Sequence, residues 1–403
     1  MTLECQRTSV RTVPIPEMVG PSAPRPREPS EAFGTLVDRR LIHNFDWGLL
    51  LIVALLGGVG LTTVYSAVTA DPPPALQRML FYKQMIWFAL GLVVMTASFS
   101  FSYRVLERWA HPIYVVCILL LVAVVVFGKL AGGSRRWIAL GPLHLQPSEL
   151  IKIAVVLVLA KYFSKGAETR GFGLRDLIRP MLMTALPCGL IVIQPDLGTA
   201  GLVALIAMTI TLFVKVERRT LLLLAVSAAG GIPFVWSLLK DYQRQRILTF
   251  LNPDQDPLGA GYHIIQSKIA IGSGMLYGKG YLQGTQNALA FLPEEHTDFI
   301  FSVLAEEWGM VGSVLVMLLF LALILRGLNI AHRCRDPFGM IVAVGLTALL
   351  AWQVMINIGM TMGLMPVVGV PLPLVSYGGS STLTVAICIG VLMNVRMRRF
   401  LVE

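Results

Sequence analysis

Residues 110–129 read AHPIYVVCILLLVAVVVFGK, a long and almost uniformly apolar run. The run from Ile113 to Phe127 within it carries no charged side chain. Crossing the hydrocarbon core of a bilayer takes about 20 predominantly apolar residues. Ten stretches of this kind can be traced along the chain, at 47–67, 84–101, 110–129, 149–163, 180–194, 197–215, 220–239, 299–325, 338–362 and 379–395. The pattern therefore predicts a chain that crosses a membrane about ten times.

The composition of the whole chain agrees with this prediction. Of its 403 residues, 55% are hydrophobic and 14% are charged, whereas a soluble domain carries about 25% charged residues. The mean hydropathy is +0.71, so too little polar surface remains to cover a water-soluble core. An ordinary cytosolic enzyme, a disordered protein and a small disulfide scaffold are excluded. The five cysteines and six histidines are scattered without disulfide or zinc-site spacing.

We predict an all-α polytopic membrane protein whose ten helices form one domain, residues 46–403. Residues 1–45 hold six prolines and no apolar run, which indicates a polar, disordered tail and not a cleavable signal peptide. The longest gap between predicted spans is 240–298. We expect it to form a long extracytoplasmic loop between the seventh and eighth helices.

Basic residues near the predicted spans set the orientation, because Lys and Arg concentrate in cytoplasmic loops. With both termini in the cytoplasm, the cytoplasmic segments hold 18 basic residues and the outer segments hold 10. The net charge of +10 is thereby explained without nucleic-acid binding. Half of the outer basic residues lie in 240–298, which indicates either an anionic ligand there or a long loop that escapes the charge rule.

Two outer clusters lie just before and at the start of the fourth predicted span. Arg135 and Arg136 precede Trp137, an arrangement that suits a diphosphate beside a sugar or lipid but is also typical of an interfacial anchor. Glu149 and Lys152, three residues apart, share a helical face near the membrane surface. Ionisable residues inside a span are functional candidates, and the alternative is a self-neutralising pair that reaches the interface. Ser148 is predicted to cap this helix.

Three further candidates lie elsewhere on the predicted outer side. Asp196, after a proline, can cap the sixth helix, bind a ligand, or do both. Lys268 and Lys279 belong to a glycine-rich part of the long loop whose isoleucines favour an interface-hugging segment.

Asp298 stands where the chain enters the eighth span. Its position makes it partly desolvated, and Glu294 and Glu295 lie nearby, so it suits a general base. The alternative is a helix cap. Glu306 and Glu307 follow deeper in the same span, and we assign them no chemistry.

Ser376-Tyr377-Gly378-Gly379-Ser380-Ser381 follows three prolines and opens the last helix. A helix N-terminus with bare amides and hydroxyls binds anions. A capped turn needed for close packing is the alternative. The site residues in this segment are Ser376, Tyr377, Gly378 and Ser380.

From about residue 45 onwards the chain resembles the SEDS family (shape, elongation, division and sporulation) of peptidoglycan polymerases. The most specific strings are His296-Thr297-Asp298-Phe299-Ile300-Phe301 and residues 376–381. Within the family, 284–286 (GTQ), 305–309 (AEEWG) and 370–375 (VPLPLV) resemble RodA, the elongation member. One departure is Glu295, where such sequences often carry Arg.

The resemblance implies ten spans in the bacterial cytoplasmic (inner) membrane and a glycosyltransferase site on the outer face. The substrate would be lipid II, whose undecaprenyl-diphosphate-linked glycan is transferred to the 4-hydroxyl of a second unit. Asp298 matches the family's catalytic Asp, Trp137 its loop Trp, and Glu149 and Lys152 its span-four pair. The substrate-binding set predicted from both arguments is Arg135, Arg136, Trp137, Glu149, Lys152, Asp196, Lys268, Lys279, His296, Thr297, Ser376, Tyr377, Gly378 and Ser380.

The same resemblance implies a divalent cation, Mg²⁺ or Mn²⁺, and partners. No ligand cage is visible in the sequence, so Asp298 with diphosphate oxygens and water is the candidate coordination. The implied partners are a class B penicillin-binding protein, which crosslinks the new glycan, and the elongation machinery. The alternatives are a lipid II flippase, since broken helices with charged ends resemble transporter sites, a scaffold without catalysis, and the division paralogue FtsW.

Overall fold

A computed structural model describes residues 45–69, 75–127, 129–131, 134–140, 143–166, 171–238, 241–252, 261–288 and 296–398. The predicted tail, except for Phe45, lies outside the described residues. The helices are α1 Trp47–Val68, α2 Ala75–Ser100, α3 Tyr103–Phe127, α4 Pro147–Ser164, α5 Leu174–Ile193, α6 Leu197–Phe213, α7 Arg218–Leu238, α8 Asp241–Leu251, α9 Tyr262–Ser273, α10 Thr285–Ala288, α11 Ile300–Arg333, α12 Pro337–Thr361 and α13 Gly379–Arg398.

Each of the ten predicted stretches overlaps one long helix. Seven candidate spans are long and apolar enough to cross a membrane: 47–68, 79–100, 103–127, 174–193, 300–333, 337–361 and 379–398. A shorter apolar helix is α6, with 17 residues, and α4 carries Glu149, Lys152 and Lys161 within 18 residues. The chain is a multi-pass helical membrane protein.

The prediction of an all-α fold was wrong in one place, the connection between α3 and α4. Strands β1 Lys129–Ala131, β2 Ser134–Leu140 and β3 Leu143–Leu145 form a three-stranded antiparallel sheet in the order β1-β2-β3. Gly132-Gly133 and Gly141-Pro142 stand between the strands, and such dipeptides are turn signals. The strands are too short for their alternation to stand out beside the neighbouring apolar helices.

Helix α4 lies at the centre of the bundle. Its residues from Ile151 to Ala160 are all buried and, apart from Lys152, apolar on every side of the helix, as in a helix that belongs in a core. It packs against α3, α6 and α12. By contrast, α2, α3 and α5 expose large apolar side chains, which suits contact with lipid.

A cluster of ion pairs and hydrogen bonds joins helix ends at one end of the bundle, here called the basic end. Asp46, the buried N-cap of α1, pairs with Arg396 of α13 and lies 3.5 Å from Arg326 Nη1 of α11. Asn394 of α13 accepts from the Tyr103 N–H at 3.2 Å and donates to the Ser98 carbonyl at 3.0 Å. The starts of α1 and α3 and the ends of α2 and α13 therefore meet here.

Helix α11 is interrupted at Gly309, whose φ of 66° and ψ of −163° are not helical. Met310 N and Val311 N would bond the carbonyls of Glu306 and Glu307 in an unbroken helix. Instead they donate to Met275 O (2.9 Å) and Leu276 O (3.1 Å). The freed carbonyls of Glu306 and Glu307 accept from Lys279 N (3.0 Å) and Gly280 N (3.1 Å). The segment 274–284, here the inserted loop, thus completes the broken helical ladder.

Candidate active site

Asp298 lies in a turn, His296–Phe299, that leads directly into α11. Three successive carbonyls of this turn accept hydrogen bonds from elsewhere in the chain. Tyr377 N donates to His296 O at 2.9 Å, Ser376 Oγ to Thr297 O at 2.6 Å, and Asn357 Nδ2 to Asp298 O at 3.0 Å. The backbone that carries Asp298 is therefore fixed from two sides, by α12 and by the segment that precedes α13.

Asn357 and Ser376 connect this turn to the 362–378 segment. Asn357 is fully buried in α12 and donates from the same Nδ2 atom to Val370 O at 2.8 Å. The Ser376 hydroxyl accepts from Leu372 N at 2.8 Å. Both side chains satisfy backbone groups that lie among apolar helices, where an unpaired group is costly.

Gly369 borders the Asp298 carboxylate. Its φ is +66°, and a Cβ built on it would lie 3.2 Å from Asp298 Oδ2. A glycine suits this position for two reasons, since it tolerates the left-handed conformation and leaves space beside the carboxylate. The N-cap position of α11 is occupied by Phe299, so the alternative interpretation of Asp298 as the N-cap was wrong.

Helix α9, from the predicted long loop, packs beside the Asp298 turn. His263 stacks on Phe299 with ring centroids 6.0 Å apart, and Ser267 Oγ lies 2.6 Å from Ser302 Oγ and donates to Thr361 O. Burial lowers the pKa of His263 below its usual 6.5, so this ring is neutral at pH 7. Lys268 is exposed on α9, and a Cβ on Gly363 would meet its Cε at 2.2 Å.

The predicted anion-binding turn at 376–381 meets both the Asp298 turn and α2. Gly378 N donates to the side-chain oxygen of the fully buried Gln84 at 3.2 Å, so this amide is not bare. The rings of His296 and Tyr377 lie 5.7 Å apart. Burial raises the pKa of Tyr377 above its usual 10, which keeps its hydroxyl protonated. The Ser380 hydroxyl accepts from Gln146 N at 3.1 Å, which brings the start of α4 to the same turn.

Glu149 and Lys152 form an ion pair of 2.7 Å, with side chains 5% and 1% exposed. The structure therefore bears out their pairing, but buries both side chains instead of extending them to an interface. The predicted Ser148 cap was wrong. Gln146 holds the N-cap position and Pro147 the first helical position, and Ser148 Oγ is buried without a hydrogen-bond partner among the described residues.

Asp196 is the N-cap of α6, as one of the two open interpretations expected. Thr199 N donates to its Oδ1 at 3.2 Å, and Thr199 Oγ1 to its Oδ2 at 3.0 Å. The same helix start touches the 362–378 segment, since a Cβ on Gly198 would lie 2.3 Å from Val368 O. Asp196 is thus near the segment that borders Asp298.

Lys279, predicted to bind an anionic substrate, is paired within the protein. Its Nζ lies 2.6 Å from Glu306 Oε1, and the same oxygen accepts from Thr285 N at 2.9 Å and Gln286 N at 3.2 Å. Glu306, which the sequence left without a role, is the anchor of this part of the loop. Glu307 accepts from Ser66 of α1.

Arg135, Arg136 and Trp137 lie in β2, where Trp137 pairs with Lys129 and Arg135 with Leu130. The Trp137 side chain is half-buried. The predicted roles of the two arginine side chains lie outside what the structure describes.

The structure brings several predicted residues together around one turn: His296, Thr297, Asp298, Ser376, Tyr377, Gly378 and Ser380. Two residues of this cluster were missed, Gln84 and Asn357. Both are polar side chains within long apolar stretches, and that signal could have found them because buried polar groups in spans are costly and need partners.

A divalent cation finds no ready cage here. Among the described residues there is no group of three or more His, Cys, Asp or Glu placed to hold a metal ion. A cation at Asp298 would therefore need oxygen ligands from the substrate and water.

These features define a multi-pass helical membrane protein with a polar turn, built around one carboxylate, at one end of its bundle. The family model FTSW_RODA_SPOVE, described as "Cell cycle protein", matches residues 46–400, so the chain belongs to this family.

The chain is 45% identical over 359 residues to the peptidoglycan glycosyltransferase MrdB of Escherichia coli strain K12, covering 89% of this chain and 95% of that one. A solved chain from a study of polymerization and crosslinking by a peptidoglycan synthase complex matches with a TM-score of 0.75 and 34% identity, over 88% of this chain and 98% of that one. The crystal structure of the rod shape determining protein RodA of Thermus thermophilus matches with a TM-score of 0.66 and 32% identity, over the same shares.

Proposed function

We propose that the chain is a peptidoglycan glycosyltransferase that polymerises lipid II into glycan strands for cell elongation and rod shape. The observation that carries this proposal is the Asp298 turn, a carboxylate on a backbone fixed by three inter-element hydrogen bonds. Membership of the family and the 45% identity to a peptidoglycan glycosyltransferase support the same activity. The 45% identity to MrdB is higher than the 36% identity to an FtsW of Geobacter metallireducens, and together with the likeness to a rod shape determining protein it supports elongation over division.

In the proposed reaction Asp298 is the general base. It takes the proton of the acceptor 4-hydroxyl as that oxygen forms a bond to the anomeric carbon of the donor sugar. The bond between that carbon and the diphosphate oxygen breaks, and undecaprenyl diphosphate leaves. The protein's contribution is position, because a base held in place removes part of the entropic cost of bringing reactants together. The hydrogen bonds from Asn357, Ser376 and Tyr377 provide that position.

A divalent cation, Mg²⁺ or Mn²⁺, belongs to the proposal as a group that neutralises the leaving diphosphate. Asp298 would hold it through the protein, the other ligands would be diphosphate oxygens and water, and the cation would supply charge neutralisation for the leaving group. Exposed Lys268, near Gly363 of the segment that borders Asp298, is available to the same anion.

The proposed topology has ten spans, both termini in the cytoplasm and the Asp298 turn on the outer face of the bacterial inner membrane. It is supported by the overlap of every predicted span with a helix and by the basic end, which lies away from the Asp298 turn. In a chain without native cysteines, Tyr277→Cys should react with an impermeant maleimide in intact spheroplasts, and Arg219→Cys only after lysis. The reverse pattern would contradict the orientation.

A class B penicillin-binding protein is the proposed partner, and the elongation machinery is the setting in which the pair works. The match to a chain from a peptidoglycan synthase complex supports assembly with a crosslinking enzyme. We expect the partner to copurify with the full chain and to raise the yield of polymer.

The test is polymerisation of purified lipid II by the full chain with Mg²⁺ or Mn²⁺, with and without the partner, read as glycan length on a gel. Asp298→Ala and Asp298→Asn should lower the rate by about 10²–10⁴-fold, the usual contribution of a general base. Asp241→Asn, at a fully exposed side chain, is the matched control and should polymerise normally. EDTA should stop the reaction.

Two outcomes would defeat the proposal. Full activity of a folded Asp298→Ala variant removes the base. Absence of polymer under every cation and partner condition, together with transport of lipid II across vesicle bilayers, would favour the flippase alternative.

A further inference from the structure

A cavity of about 490 Å³ opens among α3, α4 and α5, away from the Asp298 turn. Its lining includes His111 of α3, Lys161 of α4, Lys165 just after α4, and Arg179 of α5. These positions lie near the start of α3, the end of α4 and the start of α5. The cavity is therefore at one end of three adjacent helices, where a membrane protein meets lipid headgroups.

The cavity is strongly cationic. Lys161, Lys165 and Arg179 bring three positive charges to its lining, beside His111. Lys161 Nζ donates to a neutral group, the Arg108 carbonyl, at 3.3 Å. Within the described part of the chain, no ion pair is recorded for Lys161, Lys165 or Arg179.

The one acidic side chain in the lining, Asp176, is already engaged. Its Oδ2 accepts from Gly173 N at 3.0 Å and so helps to start α5. Three cations thus face one carboxylate that is bound to backbone, an arrangement that suits an anion with several oxygen acceptors.

The exposed side of α5 indicates which kind of molecule carries the anion. Arg179 and Met183, four residues apart, line the cavity. Ile178 and Leu182, one residue before each, lie on the adjoining helical face and are 51% and 64% exposed. In a membrane span such exposed apolar side chains contact acyl chains. A charged pocket beside a lipid-facing apolar strip is the arrangement of a phospholipid site, and basic pockets between spans bind anionic headgroups.

We propose that this cavity binds the phosphate headgroup of an anionic membrane phospholipid through Lys161, Lys165 and Arg179, with an acyl chain along Ile178 and Leu182. The site is independent of the proposed glycosyl transfer, since none of its residues belongs to the Asp298 cluster. Its occupation would stabilise the packing of α3, α4 and α5 at their shared end.

The test compares the full chain in nanodiscs of phosphatidylcholine alone and of phosphatidylcholine with phosphatidylglycerol. The variant is Lys161→Gln/Lys165→Gln/Arg179→Gln. The matched control is Lys215→Gln/Arg218→Gln/Arg219→Gln, which changes three exposed basic residues. These residues lie beside the connection between α4 and α5, since Phe172 N donates to Lys215 O. Both triples remove the same charge.

We expect phosphatidylglycerol to raise the melting temperature of the native chain and of the control triple, and to leave that of the cavity triple unchanged. Native mass spectrometry should find a phosphatidylglycerol retained by the first two, with affinity lowered on the order of a hundredfold in the cavity triple, at about fivefold for each charge. If the triple fails to fold, the single variant Arg179→Gln should still show about a fivefold loss of lipid.

Three results would overturn the proposal. The first is native lipid affinity in the cavity variants. The second is an equal loss of affinity in the control triple, which would show that surface charge alone attracts the lipid. The third is full stabilisation by inorganic phosphate, at matched ionic strength in phosphatidylcholine nanodiscs, which would make the ligand a free anion.

Discussion

Two lysine–glutamate pairs stand in the same bundle and are built in opposite ways. Glu149 and Lys152 come from one turn of α4, and both are buried. Lys279 and Glu306 come from a loop and a helix, and Lys279 is 28% exposed while Glu306 is 1% exposed. The first pair joins residues three apart in the sequence and is shielded from solvent. The second joins residues 27 apart and is partly exposed to solvent.

The hydrogen bonds around the two carboxylates differ as well. Glu306 Oε1 accepts from Thr285 N, Thr285 Oγ1 and Gln286 N besides Lys279. Glu149 Oε1 accepts from Lys152 alone, and the Oε2 atoms of both glutamates are buried without a hydrogen-bond partner among the described residues. Loss of the lysine should therefore matter far more at the first pair, since the carboxylate there has little else to hold its charge.

The largest expected effect is that of Lys152→Met. It should lower the free energy of unfolding by about 3–5 kcal/mol, because breaking a buried ion pair leaves an uncompensated charge. The measurement is denaturant unfolding of purified protein in mixed micelles. The double variant Glu149→Gln/Lys152→Met should recover much of the loss, and a double variant no more stable than the single would contradict the comparison.

Gly278→Ala should act next, by detaching the inserted loop that carries Lys279. Gly278 has φ +79°, and a Cβ on it would lie 2.0 Å from Glu307 O, so the expected cost is about 1–3 kcal/mol. Limited proteolysis of the loop and the melting temperature would measure it. The control is Gly272→Ala on α9, where a Cβ meets open space and a small gain is expected. Equal losses at both glycines would argue against loop docking as the cause.

The smallest expected effect is that of Lys279→Met, about 1 kcal/mol or less. Glu306 keeps its backbone donors, and the lysine is partly solvated already. High salt should narrow the gap between the native chain and this variant, because screening weakens exposed pairs more than buried ones. A loss as large as that of Lys152→Met, or one insensitive to salt, would remove the distinction between the two pairs.

Much of the fold was predictable, because an apolar stretch about as long as a bilayer crossing indicates a membrane span without any knowledge of its tertiary contacts. The break at Gly309 was not, since Ala305–Gly309 is an ordinary helical sequence until the inserted loop supplies other partners. The Ser148 cap failed because Pro147 takes the first helical position and moves the cap to Gln146.

The site was predictable in parts but not in its assembly. His296–Asp298 and Ser376–Gly378 were both identified as candidate segments. No local pattern, however, indicates that Tyr377 N reaches His296 O, 81 residues back along the chain. Likewise Lys279 showed a charge but not its partner, which depends on how the loop folds onto α11.

The backbone of α11 around Gly309 has two alternative sets of hydrogen bonds, one with the inserted loop and one within the helix. In the docked arrangement Met310, Val311, Lys279 and Gly280 all donate across the loop–helix boundary. Were the loop to leave, the helix could close on itself through Gly309, with Met310 N bonding Glu306 O and Val311 N bonding Glu307 O. Without the loop, α11 would therefore be one uninterrupted helix from Ile300 to Arg333. The interrupted helix and the docked loop thus depend on each other for their backbone hydrogen bonds.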